Sequence, residues 1–151
     1  MRVSFFFSPL QLDLVEIPLQ EAGIRFVRLD GSMPQAHREN HIRTFRTDPG
    51  VNVFLVSMKA GGLGLNLTTA SHVFLLDPWW NPATEDQAID RVHRLGQVRP
   101  VVVTRFVVKD TIEERILELQ QKKKQLAQGV MMRNKELRQI RIEELRLLFR
   151  D

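Results

Sequence analysis

A chain of 151 residues with 43% hydrophobic residues is long enough for one domain with a real core and a small appendage. It has no cysteine, which excludes disulfides and thiolate metal sites, and its four histidines show no ligand spacing, so no metal is expected. The net charge of +4 is uneven: residues 1–90 carry 7 Lys/Arg against 10 Asp/Glu, and residues 91–151 carry 15 against 8, so the second half is the part that suits a polyanion.

The predicted elements alternate. The first strand is VSFFF (3–7), too short for a signal peptide. A helical pattern covers 9–22 with Pro18 as a kink, followed by a strand IRFVRL (24–29). A second helix covers 34–47, starting near Ser32 and Pro34. The runs VNVFLVS (51–57), HVFLLD (72–77) and VVVTRFVV (101–108) are almost continuously apolar, as expected for strands covered on both faces. A helix over 82–95 lies between the last two, with Asn81 before Pro82 as its start signal and Thr84 with Gln87 as a capping box.

Strands alternating with helices predict a mostly parallel sheet with helices on both faces. After it, a long helix opens at Asp110 or Thr111, with Ile112, Ile116, Leu119 and Leu126 as its apolar stripe and Gly129 as its end. A last amphipathic helix is predicted over 134–149, with Leu137, Ile140, Leu145 and Leu148 on one side. No apolar run reaches the roughly 18 residues of a bilayer span, so the chain reads as soluble and intracellular, without a membrane partner.

Three segments carry chemistry. In QAIDRVHRLGQ (87–97), Gln87, Arg91 and Arg94 are spaced by four and three; on a regular helix they would lie within about 60° of one another. Ile89, Val92 and His93 would then face the other way. Such a face presents fixed cations to an anion, although taken alone the spacing better describes a solvated helix. In SMKAGGLGLNLTTAS (57–71), Gly61, Gly62 and Gly64 permit close backbone approach, and Lys59 with the exposed amides could hold phosphate oxygens at the carboxyl edge of the sheet. In DPWWNP (77–82), two prolines stiffen a turn that offers Trp80 for stacking on a base or sugar, while Trp79 reads as a cover for the core edge. The sequence has no GxGxxG fingerprint, no GxxxxGK[ST] and no DExH carboxylate pair. A dinucleotide-binding oxidoreductase is thereby disfavoured, and the chain lacks a phosphate-binding P-loop of its own.

RLDGSM, SMKAGGLGLNLTTASHVFLLDPWWNPA and QAIDRVHRLGQ, in this order and spacing, resemble the second RecA-like lobe of the Swi/Snf-type translocases of helicase superfamily two. The likeness extends over about residues 10–128, and the wording is nearest the helicase-like transcription factor branch, which acts in DNA-damage tolerance. The resemblance implies an α/β, RecA-like three-layer domain over 1–109 with a mostly parallel sheet, then C-terminal helices over 110–151, the first of them a brace helix. It implies that Lys59, Ala60, Gly61 and Trp80 face DNA. It implies that Gly64 and Asn66 lie toward the ATP ribose, and that Arg91 and Arg94 are arginine fingers with Gln87 beside them. It further implies double-stranded DNA, nucleosomes and a first RecA-like lobe as partners, in the nucleus. Magnesium would travel with the nucleotide and not be ligated by this chain. Since the P-loop, the Mg²⁺-holding carboxylates and the base for the attacking water belong to the first lobe, this chain is not expected to hydrolyse ATP alone. The alternative is a non-catalytic DNA- or protein-binding module derived from such a lobe. One departure stands out: the family's strand block reads roughly Val-Phe-Ser-Gln-Phe, whereas residues 4–8 here are SFFFS followed by Pro9, so the first nine residues are expected to leave the family course.

Overall fold

The structure, a computed structural model, describes the backbone of residues 3–7, 9–58, 60 and 65–129, and the side chains of these from residue 10 to residue 125. The elements are β1 (Val3–Phe7), α1 (Pro9–Glu21), β2 (Phe26–Leu29), α2 (Gln35–Thr47), β3 (Val53–Ser57), β4 (His72–Leu75), α3 (Pro82–Ile89), β5 (Val102–Arg105) and α4 (Ile112–Gly129). The five strands form one sheet in the order β2-β3-β1-β4-β5, and every pairing is parallel. The predicted helix over 134–149 lies outside the described residues.

The period of two in β3 divides the core into its two faces. All five of its residues are buried. Val53 and Leu55 pack with Leu12, Val15 and Leu19 of α1. Phe54 and Val56 belong to the larger cluster on the other face, with Phe45 and Ile42 of α2 and Ala88 and Ile89 of α3. The result is the three-layer arrangement expected, with α1 on one face and α2 and α3 on the other. Phe45 and Phe54 meet with ring centroids 5.0 Å apart, which fixes α2 over the sheet.

Three expectations need correction. The segment that departs from the family wording still enters the sheet: β1 is the middle strand, in register with Val53–Ser57 on one side and with β4 on the other. Its run of one valine and three phenylalanines has the β-propensity a central strand needs, whatever the missing Ser-Gln pair. Second, β5 is not covered on both faces. It is an edge strand, and Val102, Val103 and Arg105 are exposed. Third, the strands predicted over 24–29, 51–57, 72–77 and 101–108 are each shorter than their apolar runs, because ladder pairing stops before the hydrophobic character does.

The chain divides into two compact units, Met1–Asp77 with Ala83–Phe106, and Pro78–Pro82 with Val107–Asp151. In the second unit, α4 opens as predicted at Thr111, whose Oγ1 accepts the Glu113 amide at 3.3 Å. Glu113 and Glu114 reach back to the amides of Val108 and Asp110, neutralising donors that no helical turn would satisfy. Ile112 of the predicted apolar stripe is exposed, whereas Leu119 is buried.

The RLDGSM block forms a polar knot at the end of β2. Arg28 donates to Asp13 and Glu16 of α1 and, at 2.7 Å, to Asp30. Burial works against the Arg28 charge, but the hydrogen bonds to these three carboxylates outweigh it and hold its pKa above the ordinary arginine value. Asp30 also accepts from the hydroxyl and amide of Ser32, closing the turn. The Ser32 hydroxyl, followed by its amide and Arg28, lowers the Asp30 pKa against the opposing effect of burial. A carboxylate so depressed contributes stability that is complete above the ordinary value of 3.8 and is lost as the pH falls below it. Asp30→Asn is therefore expected to lower the unfolding free energy by about 1–3 kcal/mol at neutral pH, and the gap to the parent protein should narrow at about pH 3, as read by urea unfolding at the two pH values.

Candidate functional site

In a parallel sheet the loops that follow the strands gather at the carboxyl edge, and that is where the glycine segment leaves β3. Ser57 closes the strand fully buried, and its Oγ accepts the Ala60 amide at 3.2 Å. Ala60 is itself in the core, with its methyl group buried. Lys59, Gly61 and Gly64 lie outside the described residues. Beyond them Leu65, Leu67 and Ala70 are buried in the same core as Ala60, so both stems of the glycine segment are anchored. The side chain of Asn66 is turned inward on its own segment: its Oδ1 accepts from the amide of Thr68 at 3.1 Å and from its hydroxyl at 2.9 Å. The Asn66 carbonyl accepts from Arg46 of α2 at 2.9 Å. Beside it Ile42, Arg43, Leu65 and Asn66 line an open cleft of about 580 Å³.

The arginine segment differs from its predicted form. The helix expected over 82–95 ends at Ile89, and Arg91 and Arg94 stand in the turns that follow it, so the shared helical face with Gln87 does not exist. The reason is tertiary. In a continuing helix the Arg91 carbonyl would accept from Leu95 and the Val92 carbonyl from Gly96. The first is instead taken by the Leu67 amide at 2.8 Å, and the second by the Gln97 side chain at 3.2 Å. Arg94 to Gln97 then form a turn closed by the Gln97 amide on the Arg94 carbonyl at 2.9 Å, with Gly96 at φ +99° in its third place. That positive φ is what a type II turn requires, and it accounts for the glycine.

Arg91 is half-buried, and its Nε is enclosed with no hydrogen-bond partner among the described residues. A buried donor without an acceptor costs about 1–3 kcal/mol, so this nitrogen favours an incoming acceptor. Arg94 and Gln87 are exposed, as is Leu95, which at 99% touches almost nothing.

The tryptophan turn belongs to the second unit. Trp80 is 54% exposed. Lys123 of α4 places Nζ 4.6 Å from its ring centroid and donates to its carbonyl at 3.4 Å. Gln120, buried on the same helix, donates to the carbonyl of Trp79. One α4 helix thus holds both tryptophan carbonyls and sets a cation against an exposed indole.

Several residues that shape the site gave no signal in the sequence. Glu85 is almost fully buried in α3, where Arg105 of β5 donates to it at 2.8 Å. An acidic residue in the first turn also suits the helix dipole. Gln97 is half-buried and bonded through every polar atom of its side chain. A single glutamine or glutamate in a polar segment looks like surface until its partners, far away in sequence, are known. No group of His, Cys, Asp or Glu that could hold a metal occurs among the described residues, and none of their helices is long and apolar enough to cross a membrane.

An all-parallel three-layer domain, with a glycine segment leaving the carboxyl end of β3 and an arginine turn packed on the strap that enters β4, defines a RecA-like lobe of helicase type. Residues 3–96 match the helicase conserved C-terminal domain, and the chain belongs to that family, among the RAD5-type and helicase-like-transcription-factor-type Swi/Snf proteins of superfamily two. It is 52% identical over 139 residues to DNA repair protein RAD5B of Arabidopsis thaliana, covering 92% of this chain and 11% of that protein. It is 51% identical over 143 residues to the helicase-like transcription factor of Homo sapiens, covering 91% of this chain and 14% of that protein. The chain therefore spans about a tenth to a seventh of the length of these relatives. Among solved structures, the C-terminal part of the Fun30 ATPase domain superposes with a TM-score of 0.76 at 39% identity, over 78% of this chain and 38% of that one.

The turn geometry yields a test. A Cβ at Gly96 meets nothing within 4 Å, so substitution there strains the backbone alone. Gly96→Ala is expected to cost about 1–2 kcal/mol in denaturant unfolding, and Gly96→Asn, which tolerates the left-handed region, clearly less.

Proposed function

We propose that this chain works as the C-terminal motor lobe of an ATP-dependent double-stranded-DNA translocase of the DNA-repair or chromatin-remodelling type, in the nucleus. The observation that carries this reading is Arg91: its carbonyl is fixed by the Leu67 amide, and its Nε is buried with no partner among the described residues. An arginine anchored at its main chain, with a buried Nε that has no acceptor among the described residues, suits a transferring phosphoryl group better than it suits a solvated surface. The names of the relatives, DNA repair protein RAD5B and helicase-like transcription factor, support the same class.

In this reading residues 1–109 form the lobe, and 110–151 the brace helix and its extension. A first RecA-like lobe, in cis or in trans, supplies the P-loop, the Mg²⁺ ligands and the group that orients the attacking water. Arg91 and Arg94 meet the γ-phosphate from the opposite side, stabilising the charge that spreads over its oxygens, with Gln87 beside them. Gly64 and Asn66 lie toward the ribose. Lys59, the backbone at Ala60 and Gly61, and Trp80 grip the backbone of duplex DNA, free or on nucleosomes. Without the first lobe there is no turnover.

The test joins the chain to the first lobe of a relative and follows DNA-stimulated ATP hydrolysis. Arg91→Ala and Arg94→Ala are each expected to reduce kcat by about a thousandfold, with DNA affinity changed less than threefold. Loss of DNA binding in parallel with ATPase would favour a plain binding module instead, and ATPase activity of the chain by itself would overturn the reading.

A further inference from the structure

We infer that Gln97 is a positioning residue for the arginine turn, fastening it to the segment that leaves the glycine loop. This rests on the reading of Arg91 and Arg94 as the groups that meet the γ-phosphate. Both N–H bonds of the Gln97 amide are used: Nε2 donates to the Ala70 carbonyl at 2.7 Å and to the Val92 carbonyl at 3.2 Å. Its Oε1 accepts the Arg99 amide at 3.0 Å, and its own amide closes the turn on the Arg94 carbonyl. One side chain therefore reaches back along the arginine segment to the residue after Arg91, forward to Arg99, and across to Ala70, which is fully buried.

Two further bonds run along the same seam, from the Leu67 amide to the Arg91 carbonyl and from Arg99 to the Thr69 carbonyl. Residues 65–70 are thus a strap. Its upstream end is the stem of the glycine segment, and its downstream end holds the arginines. Gln97 acts with the Leu67 amide: Leu67 holds the Arg91 carbonyl and Gln97 the Val92 carbonyl, and together they keep the chain after Ile89 in the turns that carry Arg91 and Arg94. Loss of Gln97 lets the Val92 carbonyl return to the helical ladder, which rotates the guanidinium groups without unfolding the core. A displacement of about 1 Å at a charge-stabilising group is enough to lower turnover about a hundredfold.

Gln97→Met keeps the shape and removes every hydrogen bond of the side chain. Gln97→Glu keeps the acceptor for Arg99 and removes both donors. In the two-lobe protein, at matched folded fraction, both variants are expected to lower kcat about thirtyfold to a hundredfold while KM for ATP and the affinity for DNA change less than threefold. Gln97→Lys, which restores donors to the two carbonyls, should recover at least a third of the activity. In the 151-residue chain, amide exchange at Leu67 should quicken at least tenfold in Gln97→Met, because its acceptor on Arg91 has moved. A Gln97→Met protein with parental kcat, or one whose kcat falls only with its folded fraction, overturns the inference, as does full activity of Gln97→Glu. If Arg91→Ala is itself without effect on kcat, the reading of the fingers fails; if only the Gln97 variants are without effect, the positioning role alone fails.

Discussion

Two carbonyl oxygens decide the form of the arginine turn. Those of Arg91 and Val92 are withdrawn from the α3 ladder, one by a main-chain amide and one by a side chain. Each exchange replaces a local i→i+4 bond by one that crosses tens of residues. Neither is stronger than a helical hydrogen bond. What tips the balance is that Leu67 and Ala70 are already fixed in the core, so their groups present themselves at no further entropic cost. The turn that results carries Arg91 and Arg94 on a rigid base.

The sheet supplies that base. β3 is buried along its whole length, and its alternating residues commit α1 to one face and α2 with α3 to the other. Arg28 and its three carboxylates pin α1 to β2, while Glu85 with Arg105 pins α3 to β5. Two ion-pair systems thus hold the outer layers, each with one member largely shielded from water, where breaking a pair is costly. The polar knot in RLDGSM is best understood this way, as a device that orients layers.

Much of this was legible in the residues. Every described helix and strand answers to a predicted segment, because apolar period and turn residues are local properties that the fold respects. The glycine motif put its segment after a strand, at the carboxyl end of β3, for the same reason. Failures occurred where a distant group intervened. The helix through Arg94 was drawn from spacing alone, and spacing cannot register an amide at Leu67. β5 looked doubly covered because its composition is that of a central strand, yet its position in the sheet is terminal. The burial of Ala60 could not be read from its motif either, because it follows from β3 ending in the core. Gln97 was quoted as the last letter of a motif, and its three side-chain partners could not be guessed from the chain.

The nearly complete exposure of Leu95 has a practical side. It stands on the rim of the arginine turn, next to Arg94, and contributes nothing to the packed interior. The sequence contains no cysteine. A thiol introduced at this one location would accept a fluorophore or spin label uniquely, without removal of native groups. The domain is in that sense already prepared for spectroscopists: within these 151 residues a reporter at this rim would sit on the one labelled thiol and leave the packed interior intact.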